Sequence, residues 1–128
     1  MKAGVFIWLL KLIVAVVLLQ TLYFKFSAAT ESVYIFSKLG IEPYGRIGIG
    51  VLELITAILI LIPRTSFYGA LLGFGLMAGA IFSHLFVLGI EVQDDGGTLF
   101  GLALLVFVSC LVLIYKDRYI LFRLFHLK

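Results

Sequence analysis

Glu53 stands near the middle of an apolar segment, residues 47–62, in which eleven positions are Ile, Leu or Val. An acid at that depth costs about 2.5–3.5 kcal/mol on insertion scales, and each apolar neighbour returns about 0.3–0.6 kcal/mol, so the segment still enters lipid. The acid then needs polar company, because a lone charge in a low-dielectric site is costly. His84 lies six residues in from one end of the apolar run 67–90, and Glu53 lies six in from the matching end of its own run. At 1.5 Å per residue both sit roughly 9 Å deep, so antiparallel neighbours bring them to one level. Gln20 and Lys25 occupy the same end of the first apolar run, and Thr56 follows Glu53 by one turn. Glu53, His84, Lys25, Gln20 and Thr56 therefore form a candidate ligand or proton site. An imidazole that titrates near neutrality suits proton exchange with a quinone headgroup or the holding of a polar ligand. The same groups also suit a packing clamp that fixes helix register through hydrogen bonds. On the residues alone both readings stand.

Other chemistries fail on residue supply. Ser83 adjoins His84, but neighbours on a helix point about 100° apart, so no nucleophile–base pair forms there. A haem needs a second strong axial ligand. The other histidine, His126, falls in the tail at the opposite membrane face, and Met1 and Met77 are poor substitutes. One His, one Glu and Asp94 or Asp95 are too sparse for a metal site. Cys110 is the single cysteine and lies in an apolar run, which excludes an internal disulfide and dithiol exchange. No catalytic residue is assigned, and the chain is not expected to be catalytic alone.

The elements that must position these residues are set by composition. Of 128 residues 63% are hydrophobic and 13% charged, about half the charge of a soluble domain, so lipid is the main solvent. The net charge of +3 forms no basic patch, which argues against nucleic acid. Four runs pass the length and polarity test for spanning: 5–24, 47–62, 67–90 and 98–115. The expected fold is an all-α membrane protein, a four-transmembrane-helix bundle forming one domain. The link between the first two spans carries Val33, Phe36 and Leu39 at helical spacing, then Gly40 and Pro43 as stop signals, and predicts a short interfacial helix over 30–39. Residues 116–128 mix apolar and basic side chains and read as an interfacial tail. Lys2, Lys11, Arg64, Lys116, Arg118, Arg123 and Lys128 fall on one side of such a bundle, and Lys25, Lys38 and Arg46 on the other. That bias predicts both termini in the cytoplasm and the polar cluster in the outer half. Gly69, Gly73, Gly75 and Gly79 sit four apart in two registers, serving internal packing or a homodimer seam.

Three local patterns in this order resemble the DoxX family of small four-helix membrane proteins: Leu22-Tyr-Phe-Lys-Phe26, Leu39-Gly-Ile-Glu-Pro43, and Val51-Leu-Glu-Leu54 followed by an apolar run and Pro63-Arg64. The resemblance covers about residues 5–116. Gln20 and Thr21 depart from it, standing where family members often carry glycine and apolar residues. The family takes its name from a subunit of an archaeal thiosulfate:quinone oxidoreductase. The resemblance thus implies a small subunit or accessory of a quinone-linked redox system in a prokaryotic plasma membrane, with a redox-protein partner. By residue it carries over Lys25 and Glu53. A small-molecule carrier using the same pocket, or a structural assembly partner, are the alternatives. Four spans without a broken-helix pair in two matching halves are few for alternating access.

Overall fold

The computed structural model describes residues 2–90 and 96–126. Its helices are α1 (Lys2–Phe26), α2 (Thr30–Leu39), α3 (Tyr44–Leu61), α4 (Ser66–Ser83), α5 (Thr98–Lys116) and α6 (Arg118–His126). The last turn of the α4 rod, His84–Leu88, is π-helical. Four rods are long and apolar enough to cross a membrane: Gly4–Phe26, Tyr44–Leu61, Ser66–Leu88 and Thr98–Lys116. The all-α four-span expectation holds, as does the short helix after the first span. The acidic stretch 91–95, with Asp94 and Asp95, lies outside the described residues.

The four spans close into a bundle in which α1 packs on α3 and α5, and α4 packs on α3 and α5. The core is slim: Val14 and Leu18 from α1, Ile60 from α3, Ala70 and Met77 from α4, and Ala103, Val106, Cys110 and Leu113 from α5. Large apolar side chains point outward instead, as lipid requires; Phe86 is 75% exposed and Val16 62%.

Small residues bring α4 against its neighbours near the α3–α4 turn. A Cβ on Gly69 would lie 2.7 Å from the Ile60 backbone nitrogen, and one on Gly73 would lie 2.8 Å from Cys110 Sγ. Both glycines are buried, so that register is consumed within the chain and offers no seam to a second copy. Gly75 and Gly79 differ: a Cβ there would meet nothing within 4 Å.

The same turn satisfies the carbonyls that a helix end leaves over. Ser66 Oγ donates to the Ile60 and Ile62 carbonyls at 2.6 and 3.1 Å. Thr65 Oγ1 donates to those of Leu59 and Ile62 at 2.8 and 3.3 Å. Two hydroxyls thereby close α3 and fix α4 antiparallel to it. At the tail end Lys11 is buried with its ammonium 4.7 Å from the Trp8 ring centre, directed back toward the start of α1.

Candidate functional site

Lys25 falls in the last turn of α1, where a cation complements the helix dipole. Its Nζ reaches across to α3 and lies 3.0 Å from Glu53 Oε1 and 3.3 Å from Oε2. Glu53 is only 3% exposed. Oε2 accepts a hydrogen bond from the ammonium; Oε1 is in ionic contact but has no aligned donor among the described residues. The pair is therefore charge-balanced while one buried carboxylate oxygen keeps acceptor capacity.

The end of α1 is held in turn by α3. Arg46 donates from Nε to both Glu42 oxygens, at 2.9 and 3.2 Å, and from a terminal nitrogen to the Lys25 carbonyl. The guanidinium thus caps α1 at the residue whose side chain meets Glu53. Ahead of it, Gly40 adopts φ +80° at the end of α2, and the Ile41 amide donates to the Phe36 carbonyl, a glycine-dependent stop that turns the chain into α3.

His84 is 5% exposed and opens the π-helical turn. The turn closes through the Gly89 amide, which donates to the His84 carbonyl at 2.7 Å. His84 Nδ1 sits 3.0 Å from the Gly89 carbonyl. A carbonyl only accepts, so Nδ1 carries the hydrogen, and Nε2 of the neutral ring is an acceptor. The Phe100 ring meets the imidazole edge to face, centroids 5.5 Å apart. Such π turns widen a helix locally and recur at functional sites.

These groups share a cavity of about 320 Å³ at the α2 end of the bundle. Lys25, Glu53 and His84 line it, and Thr21, Glu31 and Ser32 add polar atoms to a wall otherwise mostly apolar. Helix α2 lies across one side, turning Ser32 and Phe36 inward. Its contacts with α1, α3 and the π turn seat it over the three elements that carry Lys25, Glu53 and His84.

Three of the five sequence candidates thus face one space, and two do not. Gln20 is exposed and, with Thr98, lines an adjoining hollow on the α1–α5 flank that shares Thr21, Phe24, Glu31, Leu99 and Leu102 with the cavity. One residue further along α1 turns by about 100°, which is why Thr21 rather than Gln20 faces the cavity. Thr56 is fully buried, donates to the Leu52 carbonyl at 2.8 Å, and packs one turn deeper than the cavity wall. Glu53 and His84 occupy one cavity, but the acid pairs with Lys25 and the imidazole Nδ1 with the Gly89 carbonyl rather than with each other. Sequence reasoning missed Glu42 and Arg46, although their four-residue spacing at a helix start was a usable signal. It also missed Glu31 and the π turn. Nothing in local composition marks a switch from α to π pairing.

No curated protein and no solved structure matches the chain. A family model matches residues 9–111, a stretch that contains Lys25, Arg46, Glu53 and His84 together. With four spans in place and that match running over most of its length, the chain belongs to the DoxX-like family.

Proposed function

We propose that this multi-pass membrane protein is a small accessory or subunit of a quinone-linked redox system, and that its cavity receives the polar head of a lipid-soluble ligand. The carrying observation is the buried Lys25–Glu53 pair facing a largely apolar cavity, with one carboxylate oxygen lacking an aligned donor among the described residues. The two oxidation states of a quinone need opposite partners. A quinone carbonyl accepts a hydrogen bond, which the Lys25 ammonium supplies. A quinol hydroxyl donates, and Glu53 Oε1 or His84 Nε2 accepts. Redox turnover also moves protons, and a carboxylate with an imidazole in one cavity provides groups to take and release them. Electrons come from a partner oxidoreductase; the chain alone positions the head and handles protons.

The chain acts as a single domain, with the α2 end outside and both termini in the cytoplasm of a prokaryotic cell. The seven-to-three division of basic residues supports that orientation.

The test is equilibrium binding of a benzoquinone and a naphthoquinone probe to the purified protein in lipid nanodiscs, read by native mass spectrometry. Wild type is expected to bind one probe per chain. Glu53→Gln is expected to weaken binding at least tenfold while circular dichroism stays unchanged. Equal binding by both proteins, or none by wild type, refutes the assignment.

A further inference from the structure

We infer that the cavity opens sideways into the bilayer between α3 and α4, and that a lipid-soluble ligand enters through this gap with its apolar tail left in the membrane. The inference rests on the proposed headgroup site, but the opening stands on its own geometry. Helices α3 and α4 form a wedge. Beside their turn the backbones touch: the Gly69 Cβ position lies 2.7 Å from the Ile60 nitrogen. One turn on, the Gly73 position is 3.2 Å from Thr56 Cγ2. Further along, the Gly79 position has nothing within 4 Å; the Gly75 position is equally open but points about 120° from Gly69, away from α3.

The direction of the gap follows from helix rotation. Gly69 marks the α3 side of α4, and the Phe74 ring, stacked on Phe107 at 4.9 Å, marks the α5 side. At 100° per residue Gly79 points about 80° from Gly69 and about 140° from Phe74, on the α3 flank. Gly75 and Gly79 are exposed, yet both line the cavity that contains Glu53. Surface that faces outward and also walls an interior space is the rim of an opening. The α3 side of the rim is Ile49, and the α2 side is Ile35 and Leu39, all apolar. Behind that rim stands the buried Glu53 oxygen that lacks an aligned donor among the described residues. An apolar door with a polar acceptor behind it fits an amphiphile that arrives head first. The adjoining hollow on the α1–α5 flank shares Phe24, Leu99 and Leu102 with the cavity but adds the exposed Gln20 and Thr98, which makes that side the more polar of the two.

Two measurements in nanodiscs test the opening. In the first, lipids carry a photoactivatable diazirine on the acyl chain, and labelled residues are mapped by mass spectrometry. Acyl label is expected on Met77 and Leu18, which are buried at the cavity, as well as on lipid-facing Phe82. Gly79→Leu is expected to remove the Met77 and Leu18 label at least fivefold and to leave Phe82 labelled. Gly75→Leu, lower on the rim, serves as the second variant, and circular dichroism verifies folding of each. In the second measurement, Gly79→Leu is expected to slow association of an isoprenoid-tailed naphthoquinone at least tenfold, while a tailless naphthoquinone binds as in wild type. Wild type labelled only on Phe82, or label and association rate unchanged in both leucine variants, overturns the opening. Acyl label inside the cavity with no quinone bound by wild type supports the opening and refutes the quinone assignment instead.

Discussion

At the residue scale, the Lys25–Glu53 pair is the element whose loss is easiest to read. Removing one partner leaves an uncompensated buried charge, an effect of about 3–5 kcal/mol, whereas removing both leaves a neutral cavity. Glu53→Gln and Lys25→Met alone are therefore each expected to lower stability by that order, and the double variant to recover most of the loss. Chemical denaturation in detergent micelles checks this: a double variant no more stable than the worse single one would show that the pair is not coupled. The need for a partner was legible in the sequence, since an acid in an apolar run is costly wherever the helix packs. Which partner was not. Ammonium and imidazole lie at similar depth, and the choice depends on side-chain reach and helix rotation. The same rotation separates Thr21, which faces the cavity, from Gln20, which does not.

At the element scale, the glycines of α4 divide by what they touch. Gly69→Ala pushes a methyl group against the Ile60 backbone, which cannot swing aside as a side chain can. Overpacking of this kind costs about 1–3 kcal/mol. Gly79→Ala adds a methyl group where there is room and is expected to leave stability unchanged or slightly raised. Thermal unfolding of the two variants side by side is the check, and equal losses would contradict the wedge. The spacing of these glycines was visible in the sequence, and so was helix α2, through Val33, Phe36 and Leu39 and the stop at Gly40. The division of labour among the glycines was not visible, because 69 and 79 have similar neighbours in sequence, and which of them meets α3 depends on helix rotation together with the path of the two rods. The π turn escaped for a related reason: it is fixed by the Gly89 amide and by the His84 side chain reaching the Gly89 carbonyl, contacts that appear only once the chain has turned.

At the scale of the whole molecule, the four spans were legible because each is long, apolar and bounded by charge or turn residues. The proposed orientation makes a direct prediction. Cysteine placed at Lys38 is expected to react with a membrane-impermeant maleimide in intact cells, and cysteine at Arg64 only after lysis. Cys110 is fully buried and gives no background. Labelling in the reverse order would invert the assignment and move the cavity to the cytoplasmic face. The closed ion pair has a further consequence at this scale. Voltage across a bilayer acts on net charge, at about 2.3 kcal/mol per elementary charge per 100 mV for a full crossing. A neutral couple buried part-way gives the field almost nothing to pull on. Energising the membrane should leave the native cavity undisturbed, whereas a chain retaining only the lysine or only the glutamate would become sensitive to electrical potential.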